Sequence, residues 1–184
     1  MSPRKQKAQK APTICRRTDA FIAGVGKMVG WLNVVLVVAI LVQVILRYAL
    51  RVNIVALEEF QWHLFGVLIM LGLSYDVIVD GHIRLDLLHS RFSTRRKEIV
   101  ESLGIVFLLL PMIVIIFFHG LDFVASSYRV SETSDSPLGL PYRWLFKGVI
   151  PMSMVFLGMA ALSRLIRAIA FILTSRKAGS SDAN

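Results

Sequence analysis

Apolar residues gather into four long runs separated by short polar stretches, and the charges fall almost entirely at the run boundaries. Residues 28–46 hold 19 positions without a charge, which at about 1.5 Å per residue matches the roughly 30 Å of membrane hydrocarbon. Residues 60–75 give 16 uncharged positions and reach spanning length when extended over 57–79, with Glu58, Glu59, Asp76 and Asp80 near the ends. Residues 102–121 form a run of 20 whose sole ionisable member is His119, and Ser93 before Arg95-Arg96-Lys97 marks a helix start ahead of it. The fourth run, 148–163, has 16 uncharged positions and lengthens to a span if Lys147 and Arg164 snorkel to the interfaces. The pattern predicts an all-α integral membrane protein with four transmembrane helices, at about 28–46, 57–79, 100–121 and 145–166, plus interfacial segments. Pro111 and Pro151 lie in the third and fourth spans, where each removes a backbone donor; Pro151 is close enough to an end to matter less.

The flanks and loops are short. Residues 1–20 read as a disordered basic tail and residues 174–184 as a second disordered tail, leaving 21–173 as the four-helix domain. Between spans two and three, Gly81 breaks the helix and His82-Ile83-Arg84-Leu85-Asp86-Leu87 alternates polar with apolar, as an interfacial segment does. The loop before span four has a polar stretch, 131–136, followed by Pro137-Leu138-Gly139-Leu140-Pro141-Tyr142, whose prolines and glycine set a turn.

Composition narrows the classes. Of the 184 residues 55% are apolar and 18% charged, with a mean hydropathy of +0.65, which removes a soluble fold from consideration. The net charge of +9 is topology information and gives no nucleic-acid module: Lys and Arg number 16 in the two tails and the 84–97 segment, against five (Arg47, Arg51, Arg129, Arg143, Lys147) on the other side. The positive-inside rule places both termini in the cytoplasm. Tyr48, Trp62, Tyr142 and Trp144 then fall at the outer interface, with Trp31 and Tyr75 at the inner one. Cys15 is the sole cysteine, so the chain can form no internal disulfide and no cysteine-based metal or redox pair.

Candidate chemistry is sparse. A self-sufficient carrier or channel needs ionisable groups near the bilayer midplane, and the middles of these runs offer Asn33, Gln43 and a few serines, which join helices more often than they bind solute. No glycine-rich phosphate loop is present, and no catalytic set or metal-ligand cluster stands out. Glu58 and Glu59, at the outer end of span two, admit two readings: stabilisation by the helix dipole, or pairing with Arg47 or Arg51 or with a partner subunit. Asp76 and Asp80 lie four apart near the inner end of span two, facing the level of Arg164 and Arg167 on span four, which suggests an ion-pair clamp. His63 and His119 share the outer leaflet and leave an alternative open, a haem-binding electron-transfer subunit with the two as axial ligands.

Four spans with Arg47-Tyr48 after the first, Glu58-Glu59 opening the second, Gly81-His82-Ile83-Arg84-Leu85-Asp86 after it and Pro137-Leu138-Gly139-Leu140-Pro141-Tyr142 before the fourth resemble the small membrane subunit of tripartite ATP-independent periplasmic (TRAP) transporters, over about residues 20–170. The family's usual form has Val where Leu85 precedes Asp86 here, a conservative departure. The resemblance implies a multi-pass protein of the bacterial inner membrane with no cofactor and no enzymatic activity. Its implied partners are membrane lipid, a large multi-span membrane subunit that carries the transport and sodium sites, and a periplasmic solute-binding protein. The implied process is uptake of an organic acid. It also makes Arg47, Glu58, Glu59, His82, Arg84, Asp86, Gly139 and Pro141 the candidate interface or structural residues.

Overall fold

The computed structural model describes residues 13–79, 94–136 and 139–181. Most of these are helical, with no strand among them: α1 (Thr13–Tyr48), α2 (Val55–Val79), α3 (Thr94–Gly104), a π-helical turn (Ile105–Leu109), α4 (Leu110–Arg129), α5 (Arg143–Lys147) and α6 (Val149–Ser181). Four rods are long and apolar enough to cross a membrane, at Cys15–Tyr48, Val55–Val79, Glu98–Arg129 and Arg143–Ile172. The four expected spans lie inside them.

α1 is built on a seven-residue step. Cys15, Ile22, Val29 and Leu36 are buried at that interval, and Ala39 continues the stripe, so a narrow seam packs against α2 and α6 while most of the rest of the circumference is exposed. A repeat of 3.5 residues per turn is the packing rule of left-handed helix pairs. Within the seam, Gln61 of α2 donates its side-chain amide to the Ala39 carbonyl at 3.0 Å and to Gln43 Oε1 at 3.3 Å. Gln43 is thus a helix joiner, as its position suggested. Gly26 allows the same seam to close farther along: a Cβ there would stand 2.8 Å from the Tyr75 Cβ. Arg47 in the last turn suits the negative end of the helix dipole. The Val52 N–H then bonds back to the Leu46 carbonyl at 3.0 Å while Arg51 takes a left-handed backbone, φ 54°, and reverses the chain.

The third rod contains the answer to Pro111. A proline inside a helix cannot donate to the carbonyl four residues back and its ring crowds that turn. Here the helix widens just before it, and the Leu110 N–H reaches back five residues to the Ile105 carbonyl, so α3, the π turn and α4 continue as one rod. Pro151 sits in the first turn of α6, where its missing donor is not needed.

α6 is the hub. It packs on α1, α2, α3 and α4, and the buried core draws Ile22, Val77, Ile105, Ile113, Met154, Leu157, Ala160 and Ala161 from every long helix. Ala160 and Ala161 are wholly buried, and side chains that small let neighbouring backbones approach closely where no hydrophobic effect drives association. At the end that carries both termini, ionic contacts replace apolar ones. Arg164, 9% exposed, forks onto Glu101 at 2.7 and 3.1 Å and reaches Glu98 at 3.0 Å. Arg167 pairs with Asp19 at 2.9 Å, and Ser163 donates to the same carboxylate at 2.7 Å.

Two boundaries differ from the sequence expectation. Residues 13–20, assigned to a disordered tail, form the first turns of α1, because Cys15 and Ile22 continue the buried stripe and Asp19 is held by α6. Residues 174–181, assigned to the other tail, continue α6, in a stretch without proline to end it. Of the expected clamp, Arg164 and Arg167 pair with Glu98, Glu101 and Asp19, Asp76 is half-buried near the end of α2, and Asp80 lies outside the described residues.

Candidate functional site

At the end of the bundle opposite the termini, the chain between α4 and α5 folds onto the start of α2. Glu59 is its anchor. The carboxylate accepts from the Ser134 hydroxyl through Oε1 and from the Leu140 backbone N–H through Oε2 at 2.7 Å, so one side chain holds both limbs of the loop. Ser134 in turn accepts the Ser136 N–H at 3.2 Å, and the Gly139 N–H bonds to the Ser136 carbonyl at 3.0 Å. The glycine at 139 is required by space, since its φ is not positive: a Cβ would overlap the Ser134 side chain and stand 2.9 Å from Glu59 Oε1.

A second acid holds the loop to α5. Glu132 pairs with Lys147 and lies 3.8 Å from Arg143, whose backbone N–H also donates to the Glu132 carbonyl at 3.3 Å. Arg143 reaches Asp135 at 3.6 Å, and the Lys147 ammonium lies 3.9 Å over the Phe123 ring. The Lys147 ammonium bonded to Glu132, with the Arg143 guanidinium beside it, holds the Glu132 carboxyl below the usual carboxylate range against the opposing effect of burial. Ser131 and Tyr142, at either end of the loop, both take left-handed backbones (φ 45° and 62°). Non-glycine residues adopt that conformation at a cost of about 1–3 kcal/mol, which surrounding contacts must offset.

The residues singled out from sequence separate here. Glu59 and Gly139 meet in one contact network, and Pro141 lies in the same loop beside Leu140. Glu58 is exposed in the first turn of α2, where the helix dipole favours it. Arg47 is exposed at the end of α1, and among the described residues no acid pairs with it or with Arg51. Glu59 therefore turns to the α4–α5 loop rather than across the first hairpin. His82, Arg84 and Asp86 lie outside the described residues. Sequence reasoning missed Glu132, Ser134, Arg143 and Lys147 as a set; the one readable signal was the polar run 131–136 between two apolar stretches.

The histidines have separate surroundings. His63 lies 2.6 Å from the Glu59 carbonyl through Nδ1, which therefore carries the proton, and its ring packs 4.0 Å from Phe146. His119 is exposed on α4. Neither environment supports the haem alternative. Among the described residues no cluster of histidine, cysteine or carboxylate side chains could hold a metal ion.

A sequence model described as tripartite ATP-independent periplasmic transporters, DctQ component, matches residues 36–171, a stretch that includes Glu59, Glu132 and the whole α4–α5 loop. No curated protein and no solved structure matches the chain.

Proposed function

The chain belongs to the DctQ family, the small membrane component of TRAP transporters, and from that premise we propose that it is the scaffold subunit of a sodium-coupled importer of an organic acid. In this reading it lies in the bacterial inner membrane with both termini cytoplasmic, as the 16-to-5 distribution of Lys and Arg favours. The exposed apolar faces of its spans broaden and anchor the large membrane subunit. The α4–α5 loop lies on the periplasmic side and receives the solute-binding protein. The segment that contains His82, Arg84 and Asp86 braces the inner interface with the large subunit.

The observation that carries the reading is the Glu59 anchor. The carboxylate of α2 holds the loop in one shape, and a docking surface gains from being ordered before the partner arrives, because ordering it on contact would subtract from affinity. The ionic groups support the same reading by their distribution. The ion pairs of the described residues lie on the loop between α4 and α5 or toward the terminal side of the bundle, away from the centres of the apolar runs, which suits a passive scaffold better than a solute pathway.

Replacement of Glu59 tests it. Hydrogen bonds to a charged group contribute about 1.5–3 kcal/mol each, and about 1.4 kcal/mol is tenfold in an equilibrium constant. Glu59→Ala in the reconstituted transporter should raise the concentration of solute-binding protein needed for half-maximal uptake by about tenfold or more, with recovery of the large subunit and the choice of solute unchanged. An unaltered dependence on binding protein would remove the docking role from this loop. A changed solute preference would argue against a scaffold altogether.

A further inference from the structure

Beside the same loop lies an open cup of about 560 Å³ lined by Tyr128, Arg129, Ser131, Thr133, Pro141, Tyr142 and Trp144. Its chemistry is one-sided. Arg129 is its cation, and among the described residues no acid pairs with it, because the nearby carboxylates Glu132 and Asp135 are engaged by Arg143 and Lys147. Two hydroxyls and two phenols add donors, and the lining holds no carboxylate. Tyr128 and Trp144 meet edge to face with ring centroids 5.3 Å apart, which makes one wall aromatic. Two of the lining residues, Ser131 and Tyr142, take left-handed backbones.

The cup takes an anion joined to an apolar body. Its depth in the molecule identifies the source: Tyr128 and Arg129 end one membrane-spanning rod and Trp144 begins the next, so the opening lies at the level of the headgroups. A molecule with a phosphate at that depth and hydrocarbon below it is present there at higher concentration than any soluble anion. We propose that the cup binds the phosphate headgroup of a phospholipid from the adjacent leaflet, with Arg129 on the phosphate and the Tyr128–Trp144 wall along the glycerol and upper chain. The site rests on geometry alone and holds for either orientation of the chain and whatever the α4–α5 loop docks.

The test is native mass spectrometry of the full chain, with whatever large subunit accompanies it, purified in mild detergent, stripped of lipid and titrated with palmitoyl-oleoyl phosphatidylglycerol. The wild type should retain one tightly held lipid per chain. Arg129→Gln should lower that occupancy by about tenfold, the loss of one charge-assisted contact, with Arg129→Lys intermediate and the exposed Arg51→Gln unchanged. Glycerol 3-phosphate at equal concentration should fail to displace the lipid; displacement would assign the cup to a free phosphate ester and overturn the proposal. Equal lipid retention by Arg129→Gln and wild type would also overturn it. Should that retention come with weaker capture of the solute-binding protein, Arg129 would be a protein contact.

Discussion

Single residues decide whether the α4–α5 loop has one shape. Gly139 is the most sensitive, because a methyl group there enters space filled by Ser134 and Glu59. Gly139→Ala should cost about 1–3 kcal/mol, the usual penalty of overpacking, and should speed cleavage of the loop by a protease added to the purified protein. Glu132 gives a pH signature. Its carboxyl is held below the ordinary range in the folded protein, so its contribution is complete above the unfolded value of about 4.3 and is lost as pH falls through the lower folded value. Wild type should therefore melt above Glu132→Gln at neutral pH, and the gap should narrow as pH falls below the unfolded value of about 4.3 and close once the folded carboxyl is protonated, when the acid resembles the amide. A gap that stayed constant with pH would mean that the Lys147 pair contributes nothing.

Between elements, the ionic contacts at the terminal end do what apolar packing cannot do there. The π turn carries the third rod past Pro111, and α6 then meets that rod through Arg164 on Glu98 and Glu101. Arg164→Ala would remove the guanidinium that bonds both Glu98, 5% exposed, and Glu101, and removal of one partner from a buried pair costs about 3–5 kcal/mol. Thermal unfolding in detergent should show that loss, and Arg164→Lys should recover only part of it, since an ammonium lacks the planar fork that bonds both oxygens of Glu101 while reaching Glu98. On the other flank, Asp19 and Ser163 with Arg167 tie the start of α1 to α6, which explains why a basic segment that looked like a tail is helical from Thr13.

At the scale of the whole molecule, four rods share one hub and place polar clusters on either side of an apolar middle, the arrangement of a membrane-spanning helix bundle. The number, approximate position and order of the spans, and the family, were legible from sequence. Hydrocarbon imposes a length and a charge rule on every span, and both are local properties of the chain. Gln43 could be read as a helix joiner for the same reason, and Glu58 as a charge suited to a helix start. The partners of Glu59, Arg164 and Arg167 were not legible: Glu59 meets a loop 75 and 81 residues away, and Asp19 meets Ser163 across 144. Several acids stood at each membrane level, and charge alone does not choose among them. Only the packing of α6 against every other helix decided which acid faces which base, and only the close approach of Ser134 and Glu59 made residue 139 a glycine for lack of room rather than for its backbone angle.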